Sequence, residues 1–385
     1  MRLALIALDS SDARVVRRMV GLSANGAEVL GLSFHRDRGA LGPPESVTHI
    51  DLGRTYDRRY MQRAWAIARA TIVMFRHRRT LAKADILYAI NFDNALLAAF
   101  VWRLIGGRQP LVMEVADVQP AMIGDVVVAR LFRGLERLAL RQSALLVTSS
   151  ITFDDNYFRP VQHWQGETLL LENKVYPRSP ETQIREKRQP GPPWVIGYFG
   201  AFRDRTSWLM IQRIAAVCDG QVTFRLSGFP TFTDESTFRS EVDATPFVEY
   251  TGPYNYAEDL SRLYSSVHMS WCFDFDSPTA NSRWLLPNRL YESGLFGVPM
   301  LSEDGTATGD KVRELGAGWV LEGDIEAELT TLLQHLQPED WSRRAAEVAS
   351  LPREVFDGEG DYLRLADTLR GLVADAQPDD TRNRR

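Results

Sequence analysis

Residues 281–301 read NSRWLLPNRLYESGLFGVPML, and the spacing within this stretch decides the fold. It reads as loop, short helix, tight turn and buried strand. Pro287 suits the start of a helix, because its fixed φ matches the first turn and its missing N–H is not needed there. Leu290, Tyr291 and Leu295 give that helix an apolar side. Gly297 fits the left-handed residue that ends it, and residues 298–301, VPML, start a buried strand. Arg289 and Glu292 lie three apart, so both sit on one face near the helix N-terminus. A carboxylate there complements the helix dipole, whereas an arginine opposes it unless an anion lies in front. A phosphate would be such an anion, and a nearby carboxylate can accept both hydroxyls of a ribose. The pair therefore suits a nucleoside diphosphate, with Arg289 on phosphate and Glu292 on ribose. The same spacing also makes an ordinary surface ion pair, worth about 0.2–0.5 kcal/mol. Spacing alone leaves both readings open.

The pattern P-x-R-x-x-E followed by G-x-P and a strand (Pro287, Arg289, Glu292, Gly297, Pro299) resembles the donor-nucleotide motif of GT-B glycosyltransferases. It is closest to the family-4-like group of bacterial polysaccharide enzymes. Two further segments resemble that group: Asp12, Arg14, Arg17 and Arg18 followed by NGAEV, and LERLALRQSALLVTSS at 135–150. The resemblance runs over most of the chain. It implies an α/β architecture of GT-B type, with two Rossmann-like doubly wound domains facing across a cleft. One position departs from the pattern. The group usually has a second glutamate eight residues before the ribose glutamate, and here that position is Trp284.

Bulk properties agree with a cytoplasmic enzyme. A chain of 385 residues suggests two domains of ordinary size. Hydrophobic residues make up 44% and charged residues 25%, as in water-soluble globular proteins. No apolar run approaches the roughly 18–20 residues of a membrane span. The start, MRLALIALDSSDAR, turns polar too soon for a signal peptide and reads as a first core strand. Cys218 and Cys272 provide neither a disulfide framework nor a metal spacing. The net charge of −5 hides an asymmetry. Residues 1–173 carry 22 Lys+Arg against 17 Asp+Glu, or +5, while 174–385 carry 23 against 33, or −10. A basic first half suggests an anionic partner for that half.

Along the chain, alternating strands and helices start twice. In the first half, buried strands are expected at 3–8, 28–32, 86–89, 111–115, 145–147 and 169–171, with helices at 12–22, 95–105 and 126–141. Residues 174–193 hold five prolines and no apolar period, and read as a linker. Strands then follow at 194–198, 222–226, 247–250, 267–271 and 318–321, with helices at 207–217, 256–264, 310–315 and 325–336. The expected domains are an acceptor-binding domain at 1–173 and a nucleotide-sugar-binding domain at 194–357. The resemblance implies that a last helix, about 358–376, packs back on the first domain, and a disordered tail is expected at 377–385. The chain has no G-x-G-x-x-G after its first strand, which weighs against a dinucleotide oxidoreductase, and no Walker A sequence.

Several residues are candidates by position. In open parallel sheets the ligand crevice lies at the carboxyl ends of the strands. Asp93 and Asp117 lie just past two strands, with Asn91 and Glu114 beside them. Asp117 in MEVADVQP is a possible general base for an acceptor hydroxyl. The resembling family commonly has histidine before it, and this chain has Ala116. FGAFRDR at 199–205 offers Gly200, which permits close backbone approach, and Arg203 and Arg205, whose charge would stabilise a departing diphosphate. Asp274 and Asp276 form a D-x-D, which in the GT-A fold holds a metal. Here the arginines are expected to take that role, so no metal and no cofactor besides the donor are expected. Residues 54–83, from Arg54 to Lys83, hold nine basic residues against Asp57 alone, interleaved with Tyr56, Tyr60, Met61, Trp65, Ile72, Met74 and Phe75. Such a stretch suits either an anionic membrane surface or a solvated basic helix face.

The expected function is transfer of a sugar from a UDP- or GDP-linked donor to a growing, lipid-linked bacterial glycan in exopolysaccharide biosynthesis, with the protein possibly peripheral at the inner leaflet of the plasma membrane. Two alternatives stay open: a nucleotide-sugar 2-epimerase on the same scaffold, and a non-catalytic sugar-binding relative.

Overall fold

Short apolar runs flanked by polar turns become the strands of two all-parallel sheets. The computed structural model describes residues 1–10, 12–35, 44, 47–54, 60–119, 122–176, 188–276 and 280–376. The chain divides into unit 1, Met1–Glu172 with Glu359–Arg385, and unit 2, Asn173–Gly358.

Unit 1 runs β1 (Arg2–Ala7), α1 (Ala13–Ala24), β2 (Glu28–His35), β3 (Thr48–Arg54), α2 (Tyr60–Arg76), α3 (Arg78–Leu81), β4 (Ile86–Ile90), α4 (Phe92–Leu104), β5 (Leu111–Val115), α5 (Val127–Leu140), β6 (Ser143–Thr148), α6 (Ile151–Phe153) and β7 (Glu167–Leu170). The sheet order is β3-β2-β1-β4-β5-β6-β7. Every residue of β4 and β5 is buried, as strands covered on both faces require. Right-handed crossovers place α2, α4 and α5 side by side on one face, with α4 against both neighbours. α1 covers the other face.

Two arginines of α1 turn inward rather than toward solvent. Arg17 and Arg18 are buried. Arg18 pairs with Glu114, a carboxylate inside a buried strand, which is tolerable only if paired and hydrogen-bonded. Arg18 Nε donates to both Glu114 oxygens at 3.1 and 3.0 Å, and the Tyr88 hydroxyl donates to the same group at 2.6 Å. Arg18 Nη1 also donates to the hydroxyl of Tyr362, on the last helix of the chain, at 2.5 Å. At Gly21 a Cβ would lie 2.2 Å from the Tyr362 ring, so the close seat of that helix needs glycine there.

Unit 2 runs β8 (Trp194–Phe202), α7 (Arg205–Val217), β9 (Val222–Pro230), α8 (Glu235–Asp243), β10 (Val248–Tyr250), α9 (Tyr256–Ser265), β11 (Met269–Trp271), α10 (Asn281–Trp284), α11 (Asn288–Leu295), β12 (Met300–Glu303), α12 (Ala307–Leu315), β13 (Gly318–Leu321), α13 (Ile325–His335) and α14 (Pro338–Ser350). α15 (Glu359–Ala376) then belongs to unit 1 and packs on α1. The second sheet is ordered β10-β9-β8-β11-β12-β13. Alternate residues of β8 feed two cores, as the strand period of two requires. Ile196, Tyr198 and Phe202 join Trp208, Phe224 and Trp271. Val195 and Phe199 join Tyr264, Leu290 and Phe296.

Some elements escape the sequence reading. β3 is a sheet-edge strand with charged, exposed positions. α8 buries only Phe238 and Val242, and α14 only Trp341, Ala345 and Val348. α10 is a single turn. The basic stretch is not one helix: Arg54 closes β3 and the helices begin at Tyr60. Tyr56 and Asp57, the side chains of Tyr60 and Met61, linker residues 177–187 and the tail 377–385 lie outside the described residues.

Candidate active site

The order of the second sheet reverses between β8 and β11, which are adjacent at its centre. Such a switch point opens a crevice at the strands' carboxyl ends. α11 starts at that end, because it leads from β11 back to the start of β12. Pro287 is its N-cap, at φ −72° and ψ 151°, and Gly297 follows it in the left-handed region at φ 67°.

Arg289 is the second residue of α11 and is 8% exposed. Its Nη2 donates to the carbonyl of Phe273 at 3.1 Å, just past β11. Its guanidinium lies 4.6 Å from the centroid of the Tyr198 ring on β8. Its Nε is buried without a hydrogen-bond partner. Burial works against the charge of Arg289, but Tyr198, Cys272 and Asp274 outweigh it and hold the guanidinium charged. Glu292, one turn on, is 2% exposed and accepts the Tyr264 hydroxyl on Oε2 at 2.8 Å. Burial and then Glu292 push the Tyr264 hydroxyl well above its ordinary value, so it stays a donor. Burial at this depth excludes the surface ion-pair reading of Arg289 and Glu292.

Gly200 has φ 111° near the end of β8, with open space where a Cβ would stand. Its strand partner Gly228 approaches so closely that a Cβ there would fall 1.8 Å from the Gly200 carbonyl oxygen. The glycine pair thus keeps the rim of β8 and β9 free of side chains. The two arginines beyond Gly200 separate. Arg205 begins α7, pairs with Glu241 on α8 at 3.1 Å and lies over the Phe232 ring. Arg203 is exposed in the loop, and its charge reaches Tyr198, beneath Arg289. Burial pushes the Tyr198 hydroxyl up to about 12.

Asp204 is a residue the sequence reading missed. It is buried, caps α7 by accepting from the Ser207 amide at 2.6 Å, and also accepts the Ser207 hydroxyl at 3.0 Å. Burial raises its pKa, the Ser207 bonds lower it, and Asp274 raises it further, with a net upward shift. The signal was a D-x-x-S cap ahead of an apolar helix. Asp274 accepts the Ser282 hydroxyl and the Asp276 amide, the latter at 3.2 Å. Trp284 closes α10 and is half-buried.

In unit 1 the sheet order reverses between β1 and β4. Asp117 lies past β5 and pairs with Arg14 of α1 at 3.3 Å. Asp12 caps α1 and also pairs with Arg14, at 3.6 Å. Asp93 lies in the first turn of α4, whose N-cap Asn91 has φ 72°. Glu114 is not at this rim, because Arg18 and Tyr88 hold it in the core.

No family model matches the chain. The succinoglycan biosynthesis protein ExoL of Rhizobium meliloti (strain 1021) is 34% identical over 355 residues, covering 91% of this chain and 88% of that protein. Among solved structures, sucrose-phosphate synthase from Thermosynechococcus elongatus superposes with a TM-score of 0.70 at 14% identity, over 97% of this chain and 100% of the other. HepE of Anabaena, solved in complex with UDP and glucose, gives 0.66 at 14% identity, over 96% and 100%. The two doubly wound sheets define the class by fold: the chain has the GT-B architecture. Within that class the chain belongs to the family of the succinoglycan biosynthesis protein ExoL.

Proposed function

We propose that unit 2 binds a nucleoside diphosphate sugar at the carboxyl ends of β8 and β11, and that unit 1 receives the growing glycan. The observation that carries this is Arg289. A buried guanidinium at a helix N-terminus, with an Nε donor left over, costs several kcal/mol unless an anion completes it. A diphosphate does so, and the positive end of α11 adds to the attraction. Glu292, held through one oxygen by Tyr264, offers its carboxylate to the ribose. HepE, solved with UDP and glucose, favours a uridine donor over a guanosine one.

The leaving diphosphate gains negative charge as the glycosidic bond breaks, and fixed cations lower that barrier. Arg289 and the exposed Arg203 are suited to the task, while Arg205 is held by Glu241. Asp274 accepts the Ser282 hydroxyl, and in this reading the arginines, rather than a metal at Asp274 and Asp276, stabilise the diphosphate, with no cofactor besides the donor. Asp117 is the proposed base for the acceptor hydroxyl, oriented by Arg14. The acceptor is lipid-linked, and the basic residues between Arg54 and Lys83 draw the enzyme to an anionic membrane surface.

A thermal-shift screen tests the donor reading. Ligand at about 100 times its Kd adds about 2.7 kcal/mol of stability, so UDP or a UDP-sugar should raise the melting temperature while UMP and AMP do little. No shift with any nucleoside diphosphate or its sugar would refute it. Product analysis without acceptor separates transfer from epimerisation, because an epimerase converts the donor alone.

A further inference from the structure

Asp204 carries more than a helix cap requires. One side-chain oxygen suffices to cap α7, and serine, threonine or asparagine supplies it without a buried charge. Here the cap is a carboxylate that is 6% exposed. Burial and the neighbouring Asp274 both work against its ionised form. Such a group is tolerable only where several donors meet it. The Ser207 amide and hydroxyl donate to it at 2.6 and 3.0 Å. The Phe275 amide, in the loop after β11, is a third donor that favours its charge.

Ser207 extends this grip to the strand itself. It is buried, and its hydroxyl accepts from the Trp271 indole at 3.4 Å while donating to Asp204. Trp271 and Phe275 lie two residues to either side of Phe273. Alternate positions of an extended chain share a face, and the three rings pack together in the core that α7 covers. Trp271 meets Phe273 edge-on with centroids 4.8 Å apart, and Phe273 stacks on Phe275 at 5.8 Å. The Asp204–Ser207 pair therefore holds the exit of β11 on both sides of Phe273. The Phe273 carbonyl is the group that takes Arg289 Nη2, at 3.1 Å. Asp204 also belongs to the same knot of charges as that arginine: Arg289, Asp204, Asp274 and Arg203 all act on the Tyr198 hydroxyl.

We propose that Asp204, with Ser207, is a positioning residue for the donor: by bracketing Phe273 it sets the carbonyl that aims the Arg289 guanidinium at the diphosphate. This rests on the donor reading above and deepens it. Asp204 acts through Arg289 and not on the ligand, because a carboxylate repels a diphosphate. Its loss therefore falls on the phosphate end of the donor, and the uridine end is spared. The preference for UDP over UMP reads that difference, whereas a cap that only stabilises the fold leaves the preference alone.

The test measures dissociation constants of the full chain for UDP by calorimetry and for UMP by competition against UDP. Asparagine keeps a good cap and nearly the same shape, but loses the charge and one acceptor oxygen. Asp204→Asn should weaken UDP binding about tenfold, leave UMP binding nearly unchanged, and leave the melting temperature without ligand nearly unchanged. In an Arg289→Lys background the same substitution should cost UDP little more, because residues that act through one contact are not additive. An unchanged UDP-over-UMP preference in folded Asp204→Asn refutes the inference. Equal losses for UDP and UMP, or a full further loss in the Arg289→Lys background, also refute it and leave Asp204 a cap alone. If Asp204→Asn does not fold, Ser207→Ala, which cuts the tie to Trp271, is read for the same preference with the same refuting outcomes. If the wild-type chain binds no UDP, or Arg289→Lys binds UDP as tightly as wild type, the donor reading itself falls and this inference with it.

Discussion

Replacing Glu292 by glutamine probes the donor site with the least disturbance of the fold. The carboxylate is 2% exposed and accepts the Tyr264 hydroxyl at 2.8 Å. Glutamine has nearly the same shape, and its carbonyl oxygen can keep that bond. It loses the charge, and with it the strong acceptance of ribose hydroxyls. A hydrogen bond to a charged group is worth about 1.5–3 kcal/mol, so the Kd for UDP should rise about tenfold to hundredfold. Alanine at the same position would also orphan the buried Tyr264 hydroxyl, costing about 1–3 kcal/mol of stability. Titration calorimetry reads the affinity and thermal denaturation without ligand reads the fold. Glutamine should weaken UDP binding and leave the apo melting temperature nearly unchanged, and alanine should lower both. Unchanged UDP affinity in a folded Glu292→Gln protein would refute the placement of ribose at this residue.

Transfer should persist in excess EDTA, because Arg203 and Arg289 supply the positive charge. Complete loss, restored by Mn²⁺ or Mg²⁺, would revive Asp274 and Asp276 as ligands. A third prediction concerns pH and unit 1. Burial raises Glu136 from 4.5 to about 7, against the bonds from Tyr157 and Gln162. The folded state therefore holds a proton that the unfolded chain has released, so stability falls as pH rises from about 4.5 to about 7 and is level above that. The full effect is on the order of 3 kcal/mol, and Glu136→Gln should remove this slope from a plot of unfolding free energy against pH. An identical slope in the variant would mean that Glu136 does not titrate in that window.

What could be read from the sequence depended on how local its physics was. Strands buried on both faces are apolar runs whatever surrounds them, so β4 and β5 stand within a residue of their expected limits. α11 was legible because a proline, an apolar side and a glycine fix a helix within eleven residues. Elements held by a few contacts were not legible. α8 is polar apart from Phe238 and Val242, and β3 is an edge strand whose pattern is interrupted by charge. The arginines of α1 show the limit most clearly. Arg18 lies 96 residues from Glu114 and 344 from Tyr362. Nothing near α1 in the chain says that a carboxylate in a later strand will draw its side chain inward.

The same distinction runs through the candidate site. The argument that an arginine in the first turn of a helix must face an anion used only local geometry, and it named Arg289. It could not say whether that arginine was exposed, and exposure decides between a weak surface pair and a site. Burial comes from elsewhere: the carbonyl of Phe273, 16 residues earlier, and the Tyr198 ring on β8. These two contacts fix one side of the guanidinium and leave Nε without a partner. Arg203 and Arg205 make the converse case. Two residues apart in sequence, they look equivalent, but the start of α7 falls between them. Helix geometry then turns Arg205 toward α8 and Glu241, while Arg203 stays in the loop at the end of β8. A cation already paired with a neighbour adds less at a developing negative charge, so the loss of Arg205 should slow transfer little in a rate assay.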